Sequence, residues 1–68
     1  MDYKTLGQRV RALRTGQGMR RDELAQKAGL CESFVGHIER GTRIPSLETT
    51  VKLARQLGVG LDALTKGL

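Results

Sequence analysis

Several residue types and patterns are scarce in this chain, and each scarcity excludes something. Tyr3 and Phe34 are the only aromatic residues, so aliphatic side chains on packed helices must form the core. Cys31 is the only cysteine, which excludes an internal disulfide and a cysteine-based zinc site and fits a reducing compartment. No apolar run approaches ~18 residues, so no transmembrane helix is expected. The N-terminus lacks the apolar core of a signal peptide, and we expect a cytoplasmic protein.

The groups that catalysis and metal binding require are also missing. His37 is the only histidine, and no cysteine stands near it at ligand spacing, so we expect no metal site and no cofactor. The chain has no Ser/His/Asp set and no glycine-rich phosphate loop, and 68 residues are few for a closed pocket. We therefore expect one domain, residues 1–68, that is not an enzyme.

Positive charge is concentrated in the first third of the chain. Residues 1–21 contain six basic side chains and one acidic side chain, whereas residues 22–48 contain three basic and five acidic ones. The whole chain carries a net charge of +5, which favours an acidic partner and nucleic acid above all. Solvated surface lysines and arginines would give the same net charge, so charge alone is weak evidence.

Apolar spacing predicts five helices and no strand. The first helix begins near Tyr3, behind Asp2 as its N-cap, and carries a buried stripe at helical spacing. That stripe consists of Leu6, Val10 and Leu13. Ser46 caps a fourth helix, Gly58 ends it, and a short fifth helix begins at Leu61. On the fourth helix we expect four residues to face inward: Leu47, Val51, Ala54 and Leu57.

The stretch Arg21–Arg40 has the pattern of two short helices joined at Gly29. Glycine takes the left-handed conformation that ends a helix, and the small Ala25 allows a second helix to cross closely. This pattern predicts a helix-turn-helix whose second helix, about Glu32 to Arg40, enters the DNA major groove. Arg20 and Cys31 stand at its two N-caps, where Ser, Thr or Asp is usual.

Five segments together carry the pattern of a known family. They are LGQRVRALR at Leu6–Arg14, RRDELAQKAGL at Arg20–Leu30, FVGHIERGTRIPSLET at Phe34–Thr49, LARQLGV at Leu53–Val59 and LDAL at Leu61–Leu64. On these segments the chain resembles the XRE, or phage lambda-repressor-like, DNA-binding domains. The resemblance implies an all-α, five-helix lambda-repressor-like bundle with the helix-turn-helix at helices 2 and 3. It also implies a bacterial or phage transcription regulator, typically a repressor. Such proteins usually bind a pseudo-palindromic operator in double-stranded DNA as homodimers, at the nucleoid.

The resemblance also implies roles for individual residues. Residues at the base-reading positions of helix 3 are Glu32, Ser33 and His37. Residues at positions that touch DNA phosphates are Arg20, Arg21, Arg40 and Arg43. Arg14 and Glu39 match a partly buried ion pair between helices 1 and 3.

Three further expectations come from the residues themselves. Gly36 shares the solvent-facing side of helix 3 and, lacking a side chain, lets the backbone approach the bases. Glu32, as an acceptor, is expected to select cytosine. An apolar chain end suggests a dimer interface formed by Val59, Leu61, Leu64 and Leu68.

A second function of another class stays open at this point. The domain could serve as a protein-interaction module, such as an antitoxin or an adaptor with a protein partner, whose helix-turn-helix no longer reads DNA. The acidic Glu32 on the reading helix favours that alternative, whereas the flanking arginines favour DNA binding. The two differ in salt dependence, because phosphate contacts make the affinity fall steeply with salt.

Overall fold

A computed structural model describes residues 1–68 as five α-helices without a strand. The helices are α1 (Tyr3–Gly16), α2 (Arg21–Ala28), α3 (Glu32–Arg40), α4 (Leu47–Gln56) and α5 (Leu61–Thr65). This confirms the predicted all-α class, with the helix-turn-helix at α2 and α3. None of the five helices combines the length and the apolar character needed to cross a bilayer.

Local signals place the helix ends where the sequence predicts them. The Asp2 carboxylate accepts a hydrogen bond from the Thr5 backbone N–H at 2.9 Å, and the Ser46 hydroxyl accepts one from Thr49 at 3.1 Å. Arg20 and Cys31 provide no side-chain cap. At α2 the Glu23 carboxylate partly compensates, because it accepts a hydrogen bond from the Arg20 backbone N–H at 2.9 Å.

The core joins all five helices around aliphatic side chains. Its buried members are Leu6, Val10, Leu24, Ala25, Ala28, Val35, Ile38, Leu53, Ala54, Leu57 and Leu64. Gly7 allows α1 and α3 to cross at backbone contact, since a Cβ there would overlap the Ile38 carbonyl oxygen. The sequence did not single out Gly7.

The inward face of α4 differs from the predicted stripe. Leu47 is 70% exposed and Val51 is only partly buried, whereas Thr50 and Leu53 lie inside. Both Leu47 and Val51 lie on one flank of the helix, beside the buried side that carries Thr50 and Leu53. The prediction was therefore right for Ala54 and Leu57 and wrong for Leu47, because a periodic pattern does not give the rotation of a helix toward its neighbours.

Long polar side chains hold the ends of α4 and α5 against α1. Arg9 Nη1 donates to the Lys66 carbonyl at 2.8 Å and to the Leu64 carbonyl at 3.3 Å. Gln17 Nε2 donates to the Leu57 carbonyl at 2.7 Å. These bonds satisfy helix-end carbonyls that have no partner within their own helices.

Candidate nucleic-acid interface

The turn between α2 and α3 holds the two helices in a fixed relation. Gly29 has a φ of 69°, in the left-handed region, and the Leu30 N–H donates to the Ala25 carbonyl at 2.8 Å. Leu24 and Ala25 of α2 pack with Val35 and Ile38 of α3 in the same core. The opposite side of α3 is therefore presented outward at a defined angle.

Two of the predicted base-reading residues lie exposed on that outer face. Glu32 and Ser33 are both exposed in the first turn of α3. The Glu32 side chain is 54% exposed and makes no hydrogen bond within the chain. Its carboxylate is thus open to a donor from outside the protein.

His37 is more constrained than the sequence suggests. Its Nδ1 lies 2.9 Å from the Thr42 hydroxyl oxygen, and that hydroxyl also lies 3.1 Å from the His37 carbonyl oxygen. Nδ1 is therefore engaged within the chain, which leaves Nε2 as the ring nitrogen for a partner outside it.

Gly36 is placed differently from the prediction. It is buried, and a Cβ at this position would lie 3.1 Å from Arg40 Nη1 and 3.2 Å from Arg21 Nη1. Two guanidinium groups thus cover the backbone that was expected to approach the bases. Gly36 is therefore covered rather than open to solvent, because helical spacing does not reveal a side chain that arrives from α2; its approach to the bases stays a prediction.

The four arginines at predicted phosphate positions fall into two groups. Arg40 and Arg43 are exposed and form no ion pair. Arg20 Nε instead lies 3.1 Å from Asp22 Oδ1, and this hydrogen bond raises the pKa of Arg20 and lowers the pKa of Asp22. Arg21 Nε lies 4.0 Å from Glu32 Oε1.

Beneath these residues, Arg14 and Glu39 meet where α1 crosses α3. Arg14 Nε donates to Glu39 Oε2 at 2.7 Å and Nη2 donates to Oε1 at 3.1 Å, a bidentate pair. Arg14 Nη1 also donates to the Met19 carbonyl at 2.9 Å. The side chains are 11% and 4% exposed, and the hydrogen bond to Glu39 raises the pKa of Arg14.

These groups border an open groove of about 470 Å³ between α1, α2 and α3. Five arginines and three carboxylates line it, and no hydrophobic residue does. They are Arg11, Arg14, Arg20, Arg21, Asp22, Glu32, Glu39 and Arg40, with Gly36 between them. The sequence did not single out Arg11. Its spacing of three residues before Arg14, which places both on one face of α1, is the signal that was available.

The predicted dimer residues are not all available to a partner. Leu64 is fully buried in the core of the single chain, and Val59 and Leu68 pack against that core. Leu61 is partly buried. The prediction was wrong for Leu64, because the short α5 folds back onto α1 and α4 and covers it.

Comparison with known proteins supplies a family. A family model described as helix-turn-helix matches residues 10–64. The immunity repressor protein of Bacillus phage phi105 is 38% identical over 60 residues, which covers 88% of this chain and 42% of that protein. The chain spans about two fifths of the length of the first curated relatives that it matches.

Solved structures share the whole arrangement of helices. The restriction-modification controller protein C.AhdI from Aeromonas hydrophila superimposes with a TM-score of 0.90 and 43% identity, covering 93% of this chain and 96% of that one. A crystal structure of SinR, the master regulator for biofilm formation, in complex with DNA has a TM-score of 0.84 and 34% identity. That match covers 90% of this chain and 98% of that one.

Proposed function

Because the chain belongs to the helix-turn-helix family, we propose that it is a sequence-specific DNA-binding transcription regulator. The observation that carries this proposal is the exposed face of α3, with Glu32 and Ser33, beside an arginine-lined groove. A helix fits into the major groove, where each base pair presents a distinct pattern of donors and acceptors. The complex of the similar SinR with DNA supports the proposal.

We assign two tasks to the residues around this face. Glu32, Ser33 and His37 read base edges, and Glu32 accepts a hydrogen bond from a cytosine amino group. Arg40 and Arg43, which are exposed and unpaired, contact DNA phosphates after the end of α3. Arg20 adds positive charge at the N-terminus of α2, a helix end that favours phosphate.

We further propose that two copies act together as a repressor on a pseudo-palindromic operator. The similarity to the phage phi105 immunity repressor supports repression. With Leu64 buried, the candidate dimer surface is reduced to Val59, Leu61 and Leu68. Two such subunits would place their α3 helices about 34 Å apart, one turn of DNA.

Selection of bound duplexes from a random library tests this function. We expect a two-fold symmetric site with half-sites one helical turn apart, and an affinity for it that falls steeply with salt. Arg43→Ala should reduce the slope of log affinity against log salt by about one unit. It should also weaken binding to all DNA sequences about equally. If the library yields no enriched sequence and the affinity is insensitive to salt, the chain is not a DNA reader, and the interaction-module alternative replaces it.

A further inference from the structure

Arg21 of α2 occupies the place of the side chain that Gly36 of α3 lacks. Its Nη1 lies 3.2 Å and its Cδ 3.6 Å from the position where a Cβ of residue 36 would stand. Position 36 is one turn beyond Glu32 and Ser33 on the same helix, so it lies in line with the reading face. The Arg21 guanidinium, which belongs to α2, thus lies beside the middle of α3.

Arg21 lies among residues of the reading face. Arg21 borders one small depression together with Glu32, Ser33, Gly36 and Arg40. Its Nε is buried without a hydrogen-bond partner and lies 4.0 Å from Glu32 Oε1, beyond hydrogen-bond distance. The carboxylate attracts the guanidinium without occupying its donors, and neither terminal nitrogen makes a hydrogen bond within the chain.

From this geometry, and resting on the proposed function, we propose that Arg21 is a specificity-determining residue that reads guanine. The planar guanidinium can donate two hydrogen bonds, to guanine O6 and N7, which is the commonest specific contact of proteins with DNA bases. Glu32 beside it accepts from a cytosine amino group, so the two residues together suit a site that contains G·C pairs. This role replaces the phosphate contact that the resemblance implied for Arg21.

Two features favour a base over a phosphate as the target of Arg21. The exposed Arg43, after the end of α3, is placed for a phosphate. Arg21 instead lies against the middle of α3, with its Nη1 3.2 Å from the Cβ position of residue 36 and its Nε buried. The missing side chain at Gly36 is what makes room for it there.

The replacement Arg21→Lys separates the two roles, because lysine keeps the charge and loses the two-pronged donor geometry. The probe is the duplex selected by the wild-type protein, together with its complete set of single-base variants. We expect Arg21→Lys to lose a guanine preference of about tenfold or more at one position of each half-site, with the salt slope unchanged. Arg20→Lys is the matched control, since Arg20 is adjacent but paired with Asp22, and it should leave the ranking of the panel intact.

A second variant tests the same inference without changing Arg21. The atoms nearest to the Cβ of Gly36→Ala would be side-chain atoms of Arg21 and Arg40 rather than backbone, so the helix should persist, which circular dichroism checks. The displaced Arg21 should then lose the same guanine preference. If Arg21→Lys or a folded Gly36→Ala ranks the panel as the wild type does, Arg21 does not read a base. A wild-type protein that selects no sequence overturns the proposed function itself, and this inference with it.

Discussion

Two arginine–glutamate pairs join α3 to its neighbours, and they differ in almost every physical respect. Arg14 of α1 and Glu39 form two hydrogen bonds, of 2.7 and 3.1 Å, and are 11% and 4% exposed. Arg21 of α2 and Glu32 approach only to 4.0 Å and are 41% and 54% exposed. The first pair lies where two helices cross, and the second lies on the outer face of α3.

The difference separates a structural contact from an available one. A buried pair must satisfy its hydrogen bonds internally, because water is not present to replace them. The Arg14–Glu39 pair does so, and it has little left to offer a ligand. The Arg21–Glu32 side chains are 41% and 54% exposed, so most of their unsatisfied donors and acceptors remain in contact with water at little cost; the buried Arg21 Nε is the exception. Unsatisfied polar groups at fixed positions are what base recognition requires.

Breaking the buried pair should have the largest effect on stability. Arg14→Ala leaves Glu39 buried without a partner and should lower the free energy of unfolding by about 3 kcal/mol, the low end for a buried pair. Glu39→Ala should cost a similar amount. Chemical denaturation measures both variants. Losses below about 1 kcal/mol in both would mean that the pair behaves like a surface ion pair.

Gly7→Ala should disturb the helix crossing that brings Arg14 to Glu39. The new Cβ would overlap the Ile38 carbonyl oxygen, a backbone atom that cannot move without α3, and overpacking of this kind typically costs roughly 1–3 kcal/mol. Gly16→Ala in the same helix is the matched control, since nothing lies within 4 Å of its added Cβ. Thermal unfolding should show Gly7→Ala destabilised and Gly16→Ala unchanged or slightly stabilised. Equal effects would contradict a close crossing.

Breaking the exposed pair should have a small effect on stability. Arg21→Ala and Glu32→Ala should each change the free energy of unfolding by less than about 1 kcal/mol, because an exposed pair at this distance contributes little. The same denaturation experiment provides the measurement, with Arg14→Ala as the reference for a large effect. A loss comparable to that of Arg14→Ala would show that Arg21 is a structural residue rather than an available donor.

The smallest effect concerns a third pair, the exposed Arg20–Asp22, and it depends on pH. The hydrogen bond from Arg20 lowers the pKa of Asp22, so the folded state binds the Asp22 proton more weakly than the unfolded state does. The stabilisation is therefore complete above the unfolded pKa of about 4 and is lost as pH falls through the folded value. Asp22→Asn should be slightly less stable than wild type at pH 7, and the difference should vanish in acid. Thermal unfolding of both proteins from pH 7 to pH 2 measures this difference in stability. Asp62→Asn is the control, because the Asp62 carboxylate is outside any ion pair. A difference between Asp22→Asn and wild type that persists in acid would contradict the proposed pH dependence.

The ends of the helices and the order of the elements could be predicted from the chain because their causes are local. Asp2 and Ser46 cap through hydrogen bonds that span three residues, and Gly29 and Gly41 end helices through their own φ angles. Such signals lie within one turn of the position that they control. The resemblance of the whole pattern to known domains added the arrangement of the helices, and the pairing of Arg14 with Glu39 that it implied is present in the structure.

Which side chains lie on the outer face of α3 and which lie in the core depended on contacts between segments that are distant in sequence. Leu47 lies outside and Leu53 inside because the rotation of α4 is set by its neighbours. Leu64 is buried because α5 folds back onto the core, and Gly36 is covered because Arg21 arrives from another helix. Spacing along a helix gives the angles between its own residues, whereas the direction of a face and the side chains that cross it are set when the helices pack.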